Sequence, residues 1–151
     1  MIALLLAVAA QAAPVPSTPV LGATPVLGTA PILGAIGRQE LPDKGCAAYL
    51  WSAVDRHLVA MATADPATIR IAIGGKTIDL ARSAGDGTGN LGFPAAAEYR
   101  RDGLTARLTM EVVQQEGLTA GAKVPTGSLQ VDRAGEDGIV VPVAGLIGCR
   151  A

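Results

Sequence analysis

Aromatic side chains are scarce in the sequence, which holds one Trp, one Phe and two Tyr among 151 residues. Proteins that bind single-stranded nucleic acids stack the bases on aromatic rings, and this chain has few rings to offer. Positive charge is scarce as well, because 12 Lys and Arg are offset by 13 Asp and Glu. Without a basic groove to hold a phosphate backbone, we expect no nucleic-acid partner. The shortage of rings also weakens a carbohydrate-binding interpretation.

Histidine and cysteine are equally rare, since His57 is the only histidine and Cys46 and Cys149 are the only cysteines. Zinc is usually held by three or four Cys or His ligands, so these residues cannot assemble a zinc site. His57 follows Ser52 and Asp55, which are the residue types of a serine hydrolase, but no G-x-S-x-G motif is present. The favoured interpretation of His57 is a turn residue at the end of a hairpin. We therefore predict no catalytic residue, no metal site and no cofactor.

The N-terminal region lacks charge, because no charged residue precedes Arg38. Residues 1–12 combine a short apolar run with the small-x-small pattern Ala-Gln-Ala, which is typical of a signal peptide cleaved after Ala12. The alternative is a buried N-terminal helix, but several prolines directly after residue 13 interrupt any helix. The signal peptide predicts a periplasmic or secreted protein.

Residues 13–40 are predicted to form a disordered spacer. Within them, residues 18–35 repeat a six-residue unit as TPVLGA, TPVLGT and APILGA. Each unit has a proline that fixes φ and a glycine that frees it, so neither a helix nor a central strand is expected. Two interpretations remain open: a mobile spacer, or an apolar segment that docks on a partner or a membrane surface. Membrane contact is expected only through the leader or this spacer.

From residue 41 onward the pattern is that of antiparallel β-structure. Three isoleucines between residues 69 and 73 alternate with polar or small residues, as in a strand with one buried face. Gly74 and Gly75 then suit the two-residue turn of a β-hairpin, and the apolar alternation continues on the return strand. This stretch predicts a hairpin over residues 67–81.

Further strands follow the same period of two. The predicted pairs are 95–100 with 104–113, and 128–133 with 138–146. Pro142 lies inside the last of these strands and predicts an edge strand or a bulge at that position. Residues 47–63 fit either two strands, 47–52 and 58–63, or one amphipathic helix, and their aromatic and β-branched residues favour the strands.

The whole pattern predicts an all-β domain over residues 41–151. About seven or eight short strands are typical of a small antiparallel sandwich or a partly open barrel. Cys46 and Cys149 lie at opposite ends of this domain, and a pair so far apart is typical of a structural disulfide rather than a reactive or metal-binding pair. We predict that they form a disulfide in an oxidising compartment, the alternative being two separate buried thiols.

One glycine-rich stretch, from Ser83 to Gly92, is the best candidate for a recognition loop. It follows a hairpin strand and does not open a helix, unlike a phosphate-binding loop, and it lacks the spacing of a calcium loop. The favoured interpretation is a mobile surface loop. The candidate recognition residues are Ser83, Gly85, Asp86, Asn90 and Phe93.

A local resemblance to a known family starts at the same hairpin. Gly75-Lys76-Thr77 at the turn, the strand from Ile78 to Arg82 and the Ser-Ala-Gly element at 83–85 resemble the periplasmic inhibitors of c-type lysozyme. Those inhibitors are small exported β-barrels with a disulfide, which insert a Ser/Gly-containing loop into the lysozyme cleft. The resemblance implies that Ser83 and Gly85 contact a partner protein. The layout of the whole chain is also similar to uncharacterised exported proteins of Gram-negative bacteria.

Three functions are compatible with these patterns. The leading hypothesis is an exported, non-enzymatic β-domain that binds another macromolecule, an inhibitor-like module among the options. The second is a structural or assembly factor of the cell envelope, tethered through its Pro/Gly spacer. The third is a small hydrolase, which needs a cleft that gathers Asp55, His57 and a serine.

Overall fold

The computed structural model describes residues 33–87 and 89–151, so the predicted signal peptide and residues 13–32 of the predicted spacer lie outside the described residues. The described residues form nine strands and no helix. Accordingly, they include no helix long and apolar enough to cross a membrane. The strands are β1 (Leu33–Gly34), β2 (Gly45–Ser52), β3 (Leu58–Thr63), β4 (Thr68–Ile73), β5 (Lys76–Asp86), β6 (Ala96–Arg101), β7 (Leu104–Met110), β8 (Gly121–Arg133) and β9 (Ile139–Arg150).

Strands β2 to β9 form a closed antiparallel barrel. Each strand pairs with the next one along the chain, and β9 pairs back with β2. Strand β1 is added outside this cycle, against the end of β4. The predicted all-β fold is confirmed, and of the architectures that the sequence left open the barrel is the one observed. Closure leaves no free edge in the meander, so the barrel wall has no unpaired strand exposed to further pairing.

The predicted hairpin at residues 67–81 is confirmed as β4 and β5. Gly74 and Gly75 have φ angles of 56° and 78°, as a two-residue turn requires. Asp102 and Gly103, with φ angles of 48° and 75°, make the equivalent turn between β6 and β7. The isoleucines of β4 are buried, as the alternation predicts. Short turns of this kind are what allow consecutive strands to be neighbours around the barrel.

The ambiguous stretch 47–63 forms the two favoured strands, β2 and β3. A bulge shifts their register after Leu50, so that Trp51 pairs with Leu58 and Val59 is left as the extra residue. Val59 is only 4% exposed and belongs to the core. The bulge therefore buries Val59 while Leu58 stays beside Trp51 on the outer face of the barrel.

The expectation of an edge strand at Pro142 is confirmed only for one end of β9, and the proline itself carries no bulge. Its strand, β9, lies between β2 and β8, and its register with β8 continues through Pro142. The last pair of β9 with β2 is Val143 with Ser52, one residue away. The Pro142 carbonyl accepts a hydrogen bond from the N–H of Ala53 at 2.9 Å, but proline has no N–H to return. Residues 139–142 of β9 therefore pair with β8 alone, and Pro142 lies at a local edge of the barrel wall.

The barrel interior is a packed core of mostly aliphatic side chains. On β7 the predicted alternation is confirmed, because Leu104, Ala106, Leu108 and Met110 are all buried. Tyr99 from β6 is 1% exposed, and Phe93, from the segment between β5 and β6, is 2% exposed. The core extends from wall to wall, and Phe93 contributes to it from one end of the barrel.

The predicted disulfide between Cys46 and Cys149 is present. The two residues are directly opposite one another on β2 and β9, with Cα atoms 4.0 Å apart, and they are separated by 103 positions in sequence. The bond therefore links the first and last strands of the barrel. A disulfide is compatible with an oxidising periplasmic or extracellular location.

The folded domain begins earlier than the sequence indicated, because residues 33–40 of the predicted spacer belong to it. Strand β1 pairs with Ile73 and Ala72 of β4, and the N–H of Ile36 donates to the carbonyl of Leu58 at 2.8 Å. Ile36 is 8% exposed, and this burial favours order over a free spacer. Residues 35–44, called the strap below, then lead to the start of β2.

Candidate functional site

The outer wall of the barrel has a polar side formed by β6, β7 and β8. Glu98 accepts hydrogen bonds from Arg100 at 2.6 Å and from Arg107 at 3.0 Å, and Arg107 also reaches Asp132 at 2.8 Å. The hydrogen bond from Arg100 is the main reason why the pKa of Glu98 lies below its usual value. These charges satisfy one another across neighbouring strands, so this side of the barrel is a solvated wall.

The outer face of the wall becomes apolar at β9, the strand next to β8. Val143 and Ile147 point into the core, and the residues that alternate with them face outward. These outward residues are Val140, Pro142, Ala144 and Leu146. Val140 is 62% exposed and Leu146 is 50% exposed. An apolar row with this exposure is the kind of surface that binds partners.

Two aromatic residues of β2 extend this apolar surface. Trp51 lies opposite Ala144, and Tyr49 lies opposite Leu146, in the register of β2 with β9. Both aromatic side chains are half-buried on the outer face, because the core-facing positions of β2 are taken by Ala48 and the neighbouring leucine. The predicted strand therefore places the only tryptophan on the outside of the barrel.

The strap crosses this surface and is fastened to it on both sides. The Tyr49 hydroxyl donates to the backbone carbonyl of Glu40 at 2.9 Å. On the other side, Arg70 donates to the side-chain carbonyl of Gln39 at 3.0 Å. Leu41 lies so close to Gly148 of β9 that a Cβ there would be 2.8 Å from a Leu41 methyl group. The strap is thus held against three strands of the wall.

Between the strap and the wall lies a groove of about 910 Å³. Its floor is formed by Tyr49, Trp51 and Leu58, and the turn between β2 and β3 closes one end. The residues that line it are Ala35, Gly37, Arg38, Gln39, Glu40, Leu41, Asp43, Tyr49, Trp51, Arg56, His57, Leu58 and Arg150. We call this site the strap groove.

Charges are unevenly placed along the strap groove. Arg56 and His57 lie at the end near the β2–β3 turn. Arg38 lies toward the same end, because Ile36, two residues before it, donates a hydrogen bond to Leu58 beside that turn. At the other end Asp43 precedes Gly45, the partner of Arg150 in the register of β2 with β9. One end of the groove is therefore cationic, and the other end has both positively and negatively charged side chains.

The floor of the strap groove is partly shielded from solvent. Burial raises the pKa of the Tyr49 hydroxyl above its usual value, and the nearby Arg150 guanidinium opposes this shift by favouring the phenolate. The hydroxyl therefore stays protonated at neutral pH and keeps its role as donor to the strap. Arg150 thus lies close to Tyr49 within the strap groove.

No protein-family model, curated protein or solved structure matches the chain.

The structure does not assemble Ser52, Asp55 and His57 into a hydrolase site. Ser52 is 2% exposed, and its Oγ accepts hydrogen bonds from the backbone N–H groups of Val54 at 3.2 Å and Asp55 at 3.1 Å. The hydroxyl therefore caps its own turn. His57 lies at the end of that turn and is exposed, in agreement with the favoured interpretation of a turn residue.

The predicted recognition loop is shorter than the glycine-rich sequence. Ser83, Gly85 and Asp86 belong to β5, where Gly85 and Asp86 pair with β6. The Ser83 hydroxyl lies 3.2 Å from both the backbone carbonyl and the carboxylate of Glu98. The Asn90 side chain accepts a hydrogen bond from the N–H of Leu91 at 2.8 Å.

Phe93 requires a correction among these five candidates, because its side chain is in the core and is not available to a partner. The reason is its size: a large apolar ring gains more by closing one end of the barrel than by facing water. Ser83, Gly85 and Asp86 remain exposed, and Asn90 is half-buried. The structure does not bring these residues near the strap groove, since they line neither its floor nor its rim.

Sequence reasoning missed the residues of the strap groove. In the sequence, Tyr49 and Trp51 indicate only a strand, although their spacing of two places both on the face opposite to that of Ala48 and Leu50. Arg38, Arg56 and Arg150 come from three separate segments, so no local motif unites them. Among the residues that the structure describes, no three His, Cys, Asp or Glu side chains are grouped so as to hold a metal ion.

Proposed function

We propose that the protein is an exported, non-enzymatic binding domain that recognises another macromolecule through the strap groove. One observation carries this proposal: the groove combines the only tryptophan, a tyrosine and three arginines on an apolar floor. Tryptophan, tyrosine and arginine are the residues that contribute most to binding energy at protein interfaces. Their concentration at one groove therefore supports a binding role.

The construction of the site supports the same role. Trp51 lies on β2, which pairs with a strand on each side, and the strap is fastened through Tyr49 and Gln39. A site that is formed before its ligand arrives loses little conformational entropy on binding. The groove also continues onto the exposed apolar row of β9, so a partner larger than a small molecule has surface to contact.

The oxidising location is part of the proposal. The leader pattern of residues 1–12 predicts export, and the Cys46–Cys149 bond is compatible with the periplasm or the cell exterior. We therefore place the partner in the same compartment. The competing site on the same molecule is the predicted recognition loop at Ser83, which the inhibitor-like interpretation favours.

The test compares photocrosslinkers placed at three exposed positions of the full, disulfide-bonded protein. A crosslinker at His57 reports on the strap groove, one at Asp86 reports on the predicted recognition loop, and one at Arg100 reports on the polar wall. We expect one defined partner to be captured from envelope or culture fluid at His57 only, and to be captured again when that partner is purified.

Two controls decide the outcome. Trp51→Ala removes the largest side chain of the floor and should abolish capture at His57, while Arg100→Gln on the opposite wall should leave it unchanged. Capture at Asp86 with none at His57 would assign binding to the loop and overturn the groove. Equal capture at all three positions would indicate nonspecific contact and overturn the proposal as well.

A further inference from the structure

We infer that the strap groove recognises an acidic, apolar segment of a partner protein: a carboxylate binds the guanidinium groups of Arg38 and Arg56, and a neighbouring aliphatic side chain packs on Trp51. This inference rests on the proposed function, which it deepens by naming the chemistry of the partner. Charge complementarity and the apolar floor of the groove support it.

The arginines of the described residues divide into two groups. Five of them have a carboxylate of this chain within 4 Å: Arg70, Arg100, Arg101, Arg107 and Arg133. A sixth, Arg82, donates to the carbonyl of Gly92 at 3.4 Å. Within residues 33–87 and 89–151, no such contact is found for Arg38, Arg56 and Arg150, and all three line the strap groove.

This division points to an anionic ligand. A guanidinium group offers five N–H donors in a planar fork that fits a carboxylate, and it remains charged at any physiological pH. Elsewhere on the wall that fork is used within the chain, as in Arg70 with both carboxylate oxygens of Asp79 at 2.7 Å and 2.9 Å. At the groove the same fork is available to a partner.

The acidic side chains of the groove determine how a bound segment is oriented along it. Glu40 and Asp43 stand toward the end that contains Arg150, whereas Arg38 and Arg56 stand toward the β2–β3 turn. A uniformly acidic chain would be repelled along half of its length. The groove therefore suits a segment whose carboxylate faces the turn and whose remaining part is neutral or basic.

The floor favours a peptide over an acidic polysaccharide. Between the charged ends lie Trp51 and Leu58, and the surface continues to Ala144 and Leu146 of β9. Aliphatic side chains gain by covering such a surface, whereas the hydroxyl groups of a uronic acid polymer would lose water without finding partners there. An extended peptide also suits a groove that lies between the strap and the strands of the wall.

The experiment uses Trp51 as its own reporter, because it is the only tryptophan of the chain. The full, disulfide-bonded protein is titrated with a blocked peptide that carries two glutamates beside a leucine. The matched probes are the same peptide with lysines for glutamates, and oligogalacturonate as the acidic polysaccharide. We expect a saturable change in Trp51 emission with the glutamate peptide and a much weaker response to either of the others.

The variants assign the effect to the two arginines. Arg38→Gln and Arg56→Gln should each weaken binding of the glutamate peptide by about tenfold, as expected for the loss of a charge-assisted hydrogen bond. Arg100→Gln, on the strand across the barrel, is the matched control and should bind as the unmodified chain does. Higher salt should weaken binding to the unmodified chain more than to the two groove variants.

Several outcomes would overturn the inference. These are equal binding of the lysine and glutamate peptides, stronger binding of oligogalacturonate, a response that does not saturate, or equal losses in all three variants. Failure of the proposed function has a different signature, because then no partner is captured from His57. If a partner is captured at His57 but binds equally well to Arg38→Gln and Arg56→Gln, the binding function stands. In that case only the inference of an acidic ligand is overturned.

Discussion

Neighbouring residues of the barrel wall occupy two different environments. Ile71 of β4 is fully buried in the core, whereas Arg70 beside it reaches across the outer face to Asp79 at 2.7 Å. The same alternation separates Leu108 from Thr109 on β7. Successive residues of a wall strand face the core and the solvent in turn. The effect of a substitution therefore depends on which face its position belongs to.

Truncation of a core-facing residue is expected to be costly. Ile71→Ala and Leu108→Ala should each lower the free energy of unfolding by about 2–5 kcal/mol, because they remove buried methyl groups and leave a cavity. Thr109→Ala, which changes an exposed side chain, should cost less than half of that. Urea denaturation of the three variants measures the difference, and equal losses would show that both faces of the wall are buried.

A pH effect is expected at Asp79. The hydrogen bond from Arg70 is the main reason why the pKa of Asp79 lies below its usual value. The carboxylate therefore stabilises the folded state at neutral pH, and this contribution is lost as the pH falls through the usual aspartate range, near about 4, and below. Because 46% of the Asp79 side chain is exposed, the contribution should stay below about 1 kcal/mol.

Asp79→Asn should therefore reduce the difference in urea stability between pH 7 and pH 3. Asp137→Asn, an exposed acid in the turn between β8 and β9, is the matched control. A pH difference that is the same in the unmodified chain and in Asp79→Asn would contradict this account.

At the scale of elements, the strap is attached to the barrel by few contacts. They are the hydrogen bond from the N–H of Ile36 to Leu58, the hydrogen bonds of the Tyr49 hydroxyl and the Gln39 side chain, and the contact of Leu41 with Gly148. Segments with few buried contacts open locally at a low free energy, without unfolding of the core. The strap should therefore open at a lower free energy than the strands beneath it, while remaining in place most of the time.

Tyr49→Phe is expected to loosen the strap and leave the barrel intact. It removes the hydrogen bond to the Glu40 carbonyl and should cost about 1 kcal/mol or less, because the bond is exposed. Hydrogen exchange of the Ile36 amide, which donates to the carbonyl of Leu58 at 2.8 Å, should become faster, while the amides of β6 and β7 keep their protection. An equal acceleration in all strands would mean that Tyr49 stabilises the barrel as a whole.

The strands were predictable to the extent that their side chains alternate. Residues 104–110 repeat apolar and polar positions without interruption, and residues 47–63 reproduce the two favoured strands almost to the residue. The strap was not predictable, because its position depends on contacts of Ile36 and Leu41 with strands that are distant in sequence. The groove was missed for the same reason, since Arg38, Arg56 and Arg150 meet only after the barrel closes.

At the scale of the molecule, the Cys46–Cys149 bond restricts the unfolded chain over a separation of 103 residues. In the chain-entropy model, a loop of about 100 residues corresponds to a stabilisation of up to roughly 4–5 kcal/mol. Cys46→Ser and Cys149→Ser should each show most of this loss, and the double variant should lose no more than either one. Additive losses in the double variant would show that the two residues stabilise the barrel independently of the bond.

Barrel closure concentrates the long-range part of folding in one step. Seven of the eight strand pairings in the barrel join strands that are consecutive in the chain, and only the pairing of β2 with β9 joins distant ones. Local pairings form with little loss of loop entropy, so the meander can grow one hairpin at a time while the ring stays open.

With the disulfide reduced, Ala48→Gly on β2 should raise the unfolding rate and barely change the folding rate, whereas Ala106→Gly within the meander should slow folding. Stopped-flow measurements in urea would show this contrast between the two variants. The last strand pair to form would then determine the lifetime of the closed barrel.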